Sequence, residues 1–293
     1  MFPPPTSLPA HAKLNLFLEV TAKRPDGFHD IDSVFVQISL ADRLYAEAHR
    51  ANLLVLFCDD PQLPVDCDNL ALKAVELLQR RCGIYHKGMK LRLHKSIPPG
   101  SGLGGGSSDA AAGLRLANAL WECGLNREQL AAIGAEIGSD VPFFLHGGAC
   151  LVQGRGEKVT PLPDFPEKIE FGLALPPIVS NTARAYASLR LPGSAEIRSA
   201  QSFVDAMRRG DIPAMKAAAF NRFETSVFAA LPGLQAIHHG LRERIACPVC
   251  MSGSGSALWF FAEPGWQENR DLQQWAEDTG TRLLSARALP AEC

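Results

Sequence analysis

Five glycines fall within seven positions in Gly100-Ser101-Gly102-Leu103-Gly104-Gly105-Gly106. Glycine reaches left-handed backbone without strain and carries no side chain, so such a stretch can wrap closely around a ligand. Ser107-Ser108-Asp109-Ala110-Ala111-Ala112 follows at once. Serine is a favoured helix N-cap, and an Ala/Leu run is strongly helix-forming. The composition therefore predicts a glycine loop feeding a helix that starts at about Ser107 and ends near Cys123. A helix N-terminus offers free N–H groups and the positive end of a dipole, which suits a phosphate. A flexible linker has no use for glycines this dense, which are costly to order without a ligand. We read the stretch as a cradle for a nucleotide triphosphate.

Context narrows the kind of cradle. Gly100-Ser101-Gly102-Leu103-Gly104-Gly105 satisfies G-x-G-x-x-G, but a dinucleotide fold places that motif in a first βαβ unit, with an acidic residue about twenty positions on. Here it lies far into the chain, and two helices follow in succession. No Gly-Lys-Ser/Thr ending is present, which excludes a Walker loop. His-Arg-Asp and Asp-Phe-Gly are absent too, so this is not a protein kinase.

Around the loop the chain alternates between β and α patterns. Ala12 to Val20 puts Leu14, Leu16, Leu18 and Val20 on one strand face, with Lys13 and Asn15 together on the other. Arg24-Pro25-Asp26-Gly27 is a turn signal, and Phe28 to Leu40 returns as a second strand, so a hairpin is expected. Further strands are expected at Leu53 to Phe57, Lys90 to His94, Ala149 to Gln153, Lys168 to Leu175 and Ala257 to Ala262. Helical spacing runs from Asn69 to Cys82, stopped by Gly83, and from Asn126 to Ile137. The second half reads as mostly helical, including one helix over Ile212 to Phe228. The Pro-rich segment Pro161 to Pro166 separates the halves. The pattern is α+β, with domains at 1–163 and 164–293, each on its own sheet.

Composition excludes several classes of partner. Of 293 residues, 46% are hydrophobic and 20% charged, as in a folded globular protein. A net charge of −2 argues against a nucleic-acid binder, which needs a basic face. No apolar run reaches the length of a membrane span. Met1 to Ala10 lacks the basic and apolar regions of a secretory leader. Eight cysteines without repeated spacing argue against a disulfide framework and for the cytoplasm. Nothing in the sequence specifies an oligomeric state.

Phosphoryl transfer to an alcohol needs a held triphosphate, offset charge and an acceptor for the hydroxyl proton. Asp140, in Gly138-Ser139-Asp140 ahead of Val141-Pro142-Phe143-Phe144, is a candidate base, and Lys13 a candidate cation. Seen alone, the first is an ordinary turn aspartate and the second a solvated strand lysine.

A resemblance changes that weighting. Pro98-Pro99-Gly100-Ser101-Gly102-Leu103-Gly104-Gly105-Gly106-Ser107-Ser108 resembles the phosphate loop of the GHMP kinases. Ala12-Lys13-Leu14-Asn15-Leu16 resembles their N-terminal motif, and Met251-Ser252-Gly253-Ser254-Gly255-Ser256 their C-terminal glycine turn. Within that superfamily, Arg24-Pro25-Asp26-Gly27-Phe28-His29 and Gly138-Ser139-Asp140-Val141-Pro142-Phe143-Phe144 are similar to the member acting on an alcohol with a cytidine diphosphate head.

The resemblance implies a two-domain fold: an N-terminal ribosomal S5 domain 2-like domain, a C-terminal ferredoxin-like α/β sandwich, and an active site in the cleft between them. It implies Lys13 and Asp140 as the catalytic pair, and ATP with Mg²⁺ held mainly by the phosphates. Pro98 through Ser108 would bind the triphosphate, with Asn69 and Lys95 at the adenine. Phe28 and Tyr186 would sandwich the cytosine while His29 reads its polar edge. Phe28 stands where a tyrosine is more usual, which keeps stacking and removes a hydroxyl contact. Asn15 and Thr182 would touch the polyol. The alternatives are another GHMP small-molecule kinase, of homoserine or mevalonate type, or a non-catalytic nucleotide-binding module on the same fold.

Overall fold

The computed structural model describes residues 6–49, 51–163, 165–166, 169–191, 193 and 196–291. Residues 1–5 of the N-terminal stretch, Lys168 of an expected strand and Asp164 at the expected boundary lie outside them. The chain packs into two compact units. One holds the chain up to Ala12 with Leu40–Ile97 and Gly104–His146, and the other Lys13–Ser39, Pro98–Leu103 and the chain from Gly147 on. Strands β1 (Thr6–Lys23) and β2 (His29–His49) run through both.

In the first unit the later half of β2 pairs antiparallel with β4 (Gly88–His94), which pairs parallel with β3 (Leu54–Cys58). Strand β2 runs nine residues past the expected Leu40. Its buried positions there are Asp42, Leu44 and Ala46, so the alternation carries little hydrophobic contrast. Helix α1 (Leu70–Cys82) starts at Asn69, whose Oδ1 accepts from the Ala71 amide at 3.0 Å, and stops at Gly83. Helix α2 (Gly105–Trp121) packs on it, with Gly113 against the Ala71 carbonyl and Val75. Helix α3 (Arg127–Ile137) opens with a full capping box, Asn126 with Gln129. The apolar run after Gly138-Ser139-Asp140 is a short helix, α4 (Val141–His146).

In the second unit β1 and β2 form the expected hairpin over Arg24–Gly27, where the Gly27 amide donates to the Arg24 carbonyl at 3.1 Å. The first half of β2 also pairs with β5 (Ala149–Gly154), which pairs with β6 (Lys158–Pro161). A second, antiparallel sheet runs in the order β11-β7-β10-β9, from Arg282–Arg287, Glu170–Leu175, Leu258–Phe261 and Val249–Met251. Its core is aromatic: Phe171, Trp259 and Phe260 are all buried. Helices α5 (Thr182–Ala187), α6 (Gln201–Arg208), α9 (Pro232–Arg244) and α10 (Arg270–Thr279) complete the unit.

The single helix expected over Ile212 to Phe228 is instead broken in the middle. Helix α7 (Ile212–Ala218) ends, a two-residue strand β8 (Phe220–Asn221) pairs parallel with β1 at Phe17 and Leu18, and α8 (Glu224–Ala230) follows. Helical spacing survives the break, so pattern alone does not reveal it. Tertiary pairing overrides local propensity here.

Candidate active site

The polar face of β1 is buried, not solvated: Lys13 is 3% exposed, Asn15 2% and Glu19 0%. A buried ammonium needs hydrogen-bond acceptors. Lys13 Nζ donates to the Gly102 carbonyl at 2.7 Å and to Asn15 Oδ1, and the Lys13 amide donates to Leu103 O at 3.0 Å. Asn15 Nδ2 donates in turn to Ser33 Oγ at 3.2 Å, and the Asn15 amide to Ser252 Oγ at 3.4 Å. Two residues of one strand thereby tie the glycine loop to the second glycine turn.

The fit between those two glycine segments explains why both are glycines. Gly102 has φ +77, and a Cβ there would lie 2.0 Å from the Ser252 carbonyl oxygen. Gly253 has φ +56, and a Cβ there would lie 3.1 Å from Gly102 O, 3.2 Å from Lys13 Nζ and 3.3 Å from Asn15 Oδ1. No side chain fits at Gly102, and at Gly253 one would be strained by the left-handed backbone and crowded by three polar atoms. Backbone bonds complete the join: the Ala257 amide donates to Ser101 O at 2.9 Å and the Ser180 amide to Gly100 O at 3.3 Å. Thr182 Oγ1 lies 3.0 Å from Ser254 Oγ on the same turn.

Two residues that the sequence reading missed hold the turn from behind. Asn221 Nδ2 donates to the Met251 and Gly253 carbonyls at 2.6 and 2.8 Å. Glu224 Oε1 accepts from the Met251 amide at 2.8 Å. Burial raises the Glu224 carboxyl to about 7, against the pull of that amide and of Arg242. Both residues fall in the stretch that reads as one continuous helix, which hid them.

In the first unit α2 begins two residues before the expected Ser107, at Gly105, with Gly104 at φ +76 as its N-cap. Ser107 and Ser108 are therefore first-turn residues, and the Ser108 amide already donates to Gly104 O at 2.9 Å. The first amides, Gly105 to Ser107, have no acceptor within the helix and so remain available to an anion. Asp140 is half-buried at the end of its turn, just before α4. That turn lies beside the α2 start: a Cβ on Gly138 would be 3.6 Å from Ser107 Oγ.

The two expected adenine contacts have partners of their own. Asn69 caps α1, and its Nδ2 donates to Pro64 O at 2.9 Å. Lys95 Nζ sits between two buried carboxylates, Asp42 and Asp109, the latter at 2.7 Å. Burial opposes its charge, but Asp109 and Asp42 outweigh that and its pKa is raised. Asp42 is a further residue the sequence reading missed, since one aspartate in a strand gives no local signal.

The hairpin residues lie in the second unit. Phe28 is 47% exposed, with the Arg155 guanidinium 5.2 Å from its ring centre. His29 stacks on Tyr186 at 4.8 Å, and Tyr186 meets Phe223 edge-on at 4.8 Å. Burial, helped by the charge of Lys23, lowers the His29 pKa, so its ring is neutral at pH 7 and presents one donor and one acceptor. Such a ring can read the polar edge of a base.

The GHMP kinases N terminal domain family matches residues 69–148, from the α1 cap through the glycine loop and past Asp140. Over its length the chain is similar in fold to homoserine kinase from Cytophaga hutchinsonii, with a TM-score of 0.76 at 16% identity, covering 98% of this chain and 95% of that one. It is 30% identical to a crystallised 4-(cytidine 5'-diphospho)-2C-methyl-D-erythritol kinase, with a TM-score of 0.77 over 96% of this chain and 99% of the other. It is also 38% identical over 261 residues to the 4-diphosphocytidyl-2-C-methyl-D-erythritol kinase of Synechococcus sp., covering 86% of this chain and 84% of that protein. The chain belongs to the 4-diphosphocytidyl-2-C-methyl-D-erythritol kinase family within the GHMP kinases.

Proposed function

We propose that this protein is the ATP-dependent kinase that phosphorylates the 2-hydroxyl of 4-diphosphocytidyl-2-C-methyl-D-erythritol, a step of non-mevalonate isoprenoid synthesis in the cytoplasm. The observation that carries the reading is the junction of Lys13, Asn15, Gly102 and Gly253. It joins three motifs widely separated in sequence, in a chain kin to such kinases along most of its length.

Phosphoryl transfer leaves little covalent work to the protein, so catalysis rests on positioning and charge. In this reading the amides of Gly105, Gly106 and Ser107 bind the triphosphate within the loop from Pro98 to Ser108. Lys13 stabilises charge at the reacting oxygens, and Asp140 aligns the hydroxyl and takes its proton. Asn69 and Lys95 stand on the adenine side. Phe28, Tyr186 and His29 hold the cytosine, and Asn15 and Thr182 the polyol. Mg²⁺ offsets phosphate charge when bound. In this reading the ion is held mainly by the phosphates. The two sequence domains of this reading are 1–163 and 164–293.

A coupled ADP-release assay tests the substrate. Saturable turnover is expected with the cytidyl-bearing alcohol, and none with homoserine, mevalonate or the methylerythritol phosphate lacking the cytidyl group. Equal activity on homoserine or mevalonate would overturn the choice of acceptor. ATP binding without transfer to any alcohol would overturn catalysis itself.

A further inference from the structure

Three buried charged residues, Asp42, Lys95 and Asp109, meet around the two ends of the glycine loop in the first unit. Asp42 is 1% exposed and Asp109 2%. Asp42 Oδ1 accepts from the Ser96 and Ile97 amides at 2.6 and 2.8 Å, and its Oδ2 from Lys95 Nζ. It therefore fixes the last three residues before the loop. Lys95 Nζ also donates to Asp109 Oδ2 at 2.7 Å, and Asp109 belongs to the early part of α2, just after the loop. The two ends touch directly as well. A Cβ on Gly105 would lie 3.0 Å from Ile97 Cγ2 and 3.3 Å from Lys95 Nζ.

The arrangement is costly unless it does something. An ammonium beside the start of a helix opposes the helix dipole, and burying three charged groups carries a large desolvation penalty. The second oxygen of Asp109, Oδ1, is buried with no hydrogen-bond partner among the described residues. A cluster built only for stability would rarely leave such an atom unpaired. A fixed distance between Ile97 and Gly105 is what a loop of five glycines cannot provide for itself.

We propose that Asp42, Lys95 and Asp109 form an ionic staple that sets the separation of the loop's two ends and thereby aims the first-turn amides of α2 at the triphosphate. The proposal rests on the reading of this loop as the ATP cradle. It gives Lys95 a positioning role through Asp109, beside its place on the adenine side. Asp42, whose hydrogen bonds go to Lys95, Ser96 and Ile97 just before the loop, becomes a determinant of nucleotide affinity.

The test measures binding of ATP, GTP and inorganic tripolyphosphate to the full-length protein and to Asp42→Asn and Asp109→Asn. Both variants keep side-chain shape. If wild type binds neither ATP nor tripolyphosphate, the cradle reading fails and not the staple alone. Otherwise each variant is expected to weaken ATP and tripolyphosphate by the same factor, about tenfold or more, with KM for the alcohol changed less than twofold. The double variant should weaken binding by less than the product of the singles, because both carboxylates act through Lys95. Folded variants with unchanged tripolyphosphate affinity would overturn the proposal, as would loss confined to ATP over GTP. Should Asp42→Asn fail to fold, Asp109→Asn gives the same readout alone. Should both fail, hydrogen exchange on the wild type decides. ATP should slow exchange at Ser96, Ile97 and Gly105, and unchanged rates there would contradict the staple.

Discussion

The glycine loop is held in two chemically different ways. Its Pro98–Leu103 stretch, in the second unit, is fixed by close backbone contact with Ser252–Ala257, by hydroxyls and amides, and at the Gly102 carbonyl by one cation, Lys13. Its flanks in the first unit are fixed by buried charge, through Asp42, Lys95 and Asp109. Backbone contact tolerates no added atom but is indifferent to charge. A buried ion cluster tolerates small changes of shape but not the loss of one partner, which leaves another charge uncompensated. A segment that must approach a ligand closely keeps its own side chains out of the contact stretch, and the carboxylates that fix it lie at its ends.

The largest effect should follow Gly102→Ala. Left-handed backbone alone costs an alanine about 1–2 kcal/mol, and the new Cβ would overlap the Ser252 carbonyl, 2.0 Å away. We expect a large fall in Tm and loss of ATP binding. A well-folded variant with normal affinity would break the comparison, because the loop would then not need that close approach.

A smaller effect distinguishes the regions by pH. Glu224, behind the contact stretch, is raised to about 7, chiefly by burial. The folded protein keeps that proton up to about pH 7, whereas an unfolded chain releases it near pH 4. Between these values the unfolded state binds fewer protons, so stability should fall as pH rises from about 4 to about 7, by on the order of 1–3 kcal/mol. Denaturant melts across that range check the sign. Glu224→Gln should flatten the slope and leave triphosphate affinity unchanged.

Much of this was legible in the sequence where a local rule has one solution. Asn69 and Gly83 bracket α1 as a cap and a stop. Arg24–Gly27 turns the hairpin, and the glycine density marks the loop. The start of α2 was misplaced because Gly105 and Gly106 are poor helix formers, and only the fold makes them helical. Asn221 was hidden in a helical pattern that the pairing of β8 with β1 interrupts. Asp42 and Asp109 were silent because their meaning is a contact across the fold with Lys95, and no spacing along the chain encodes it. Seen alone, Lys13 reads as a solvated strand lysine, because its burial depends on a carbonyl 89 positions away.

The central claim is that the cradle binds ATP while Asp140 serves the transfer. Single-turnover kinetics of Asp140→Asn, with ATP affinity measured beside them, test it most directly. The account predicts nucleotide affinity within about twofold of wild type and a transfer rate lower by about 10²–10⁴, the usual worth of a positioned proton acceptor. A near-normal transfer rate in that variant would contradict it.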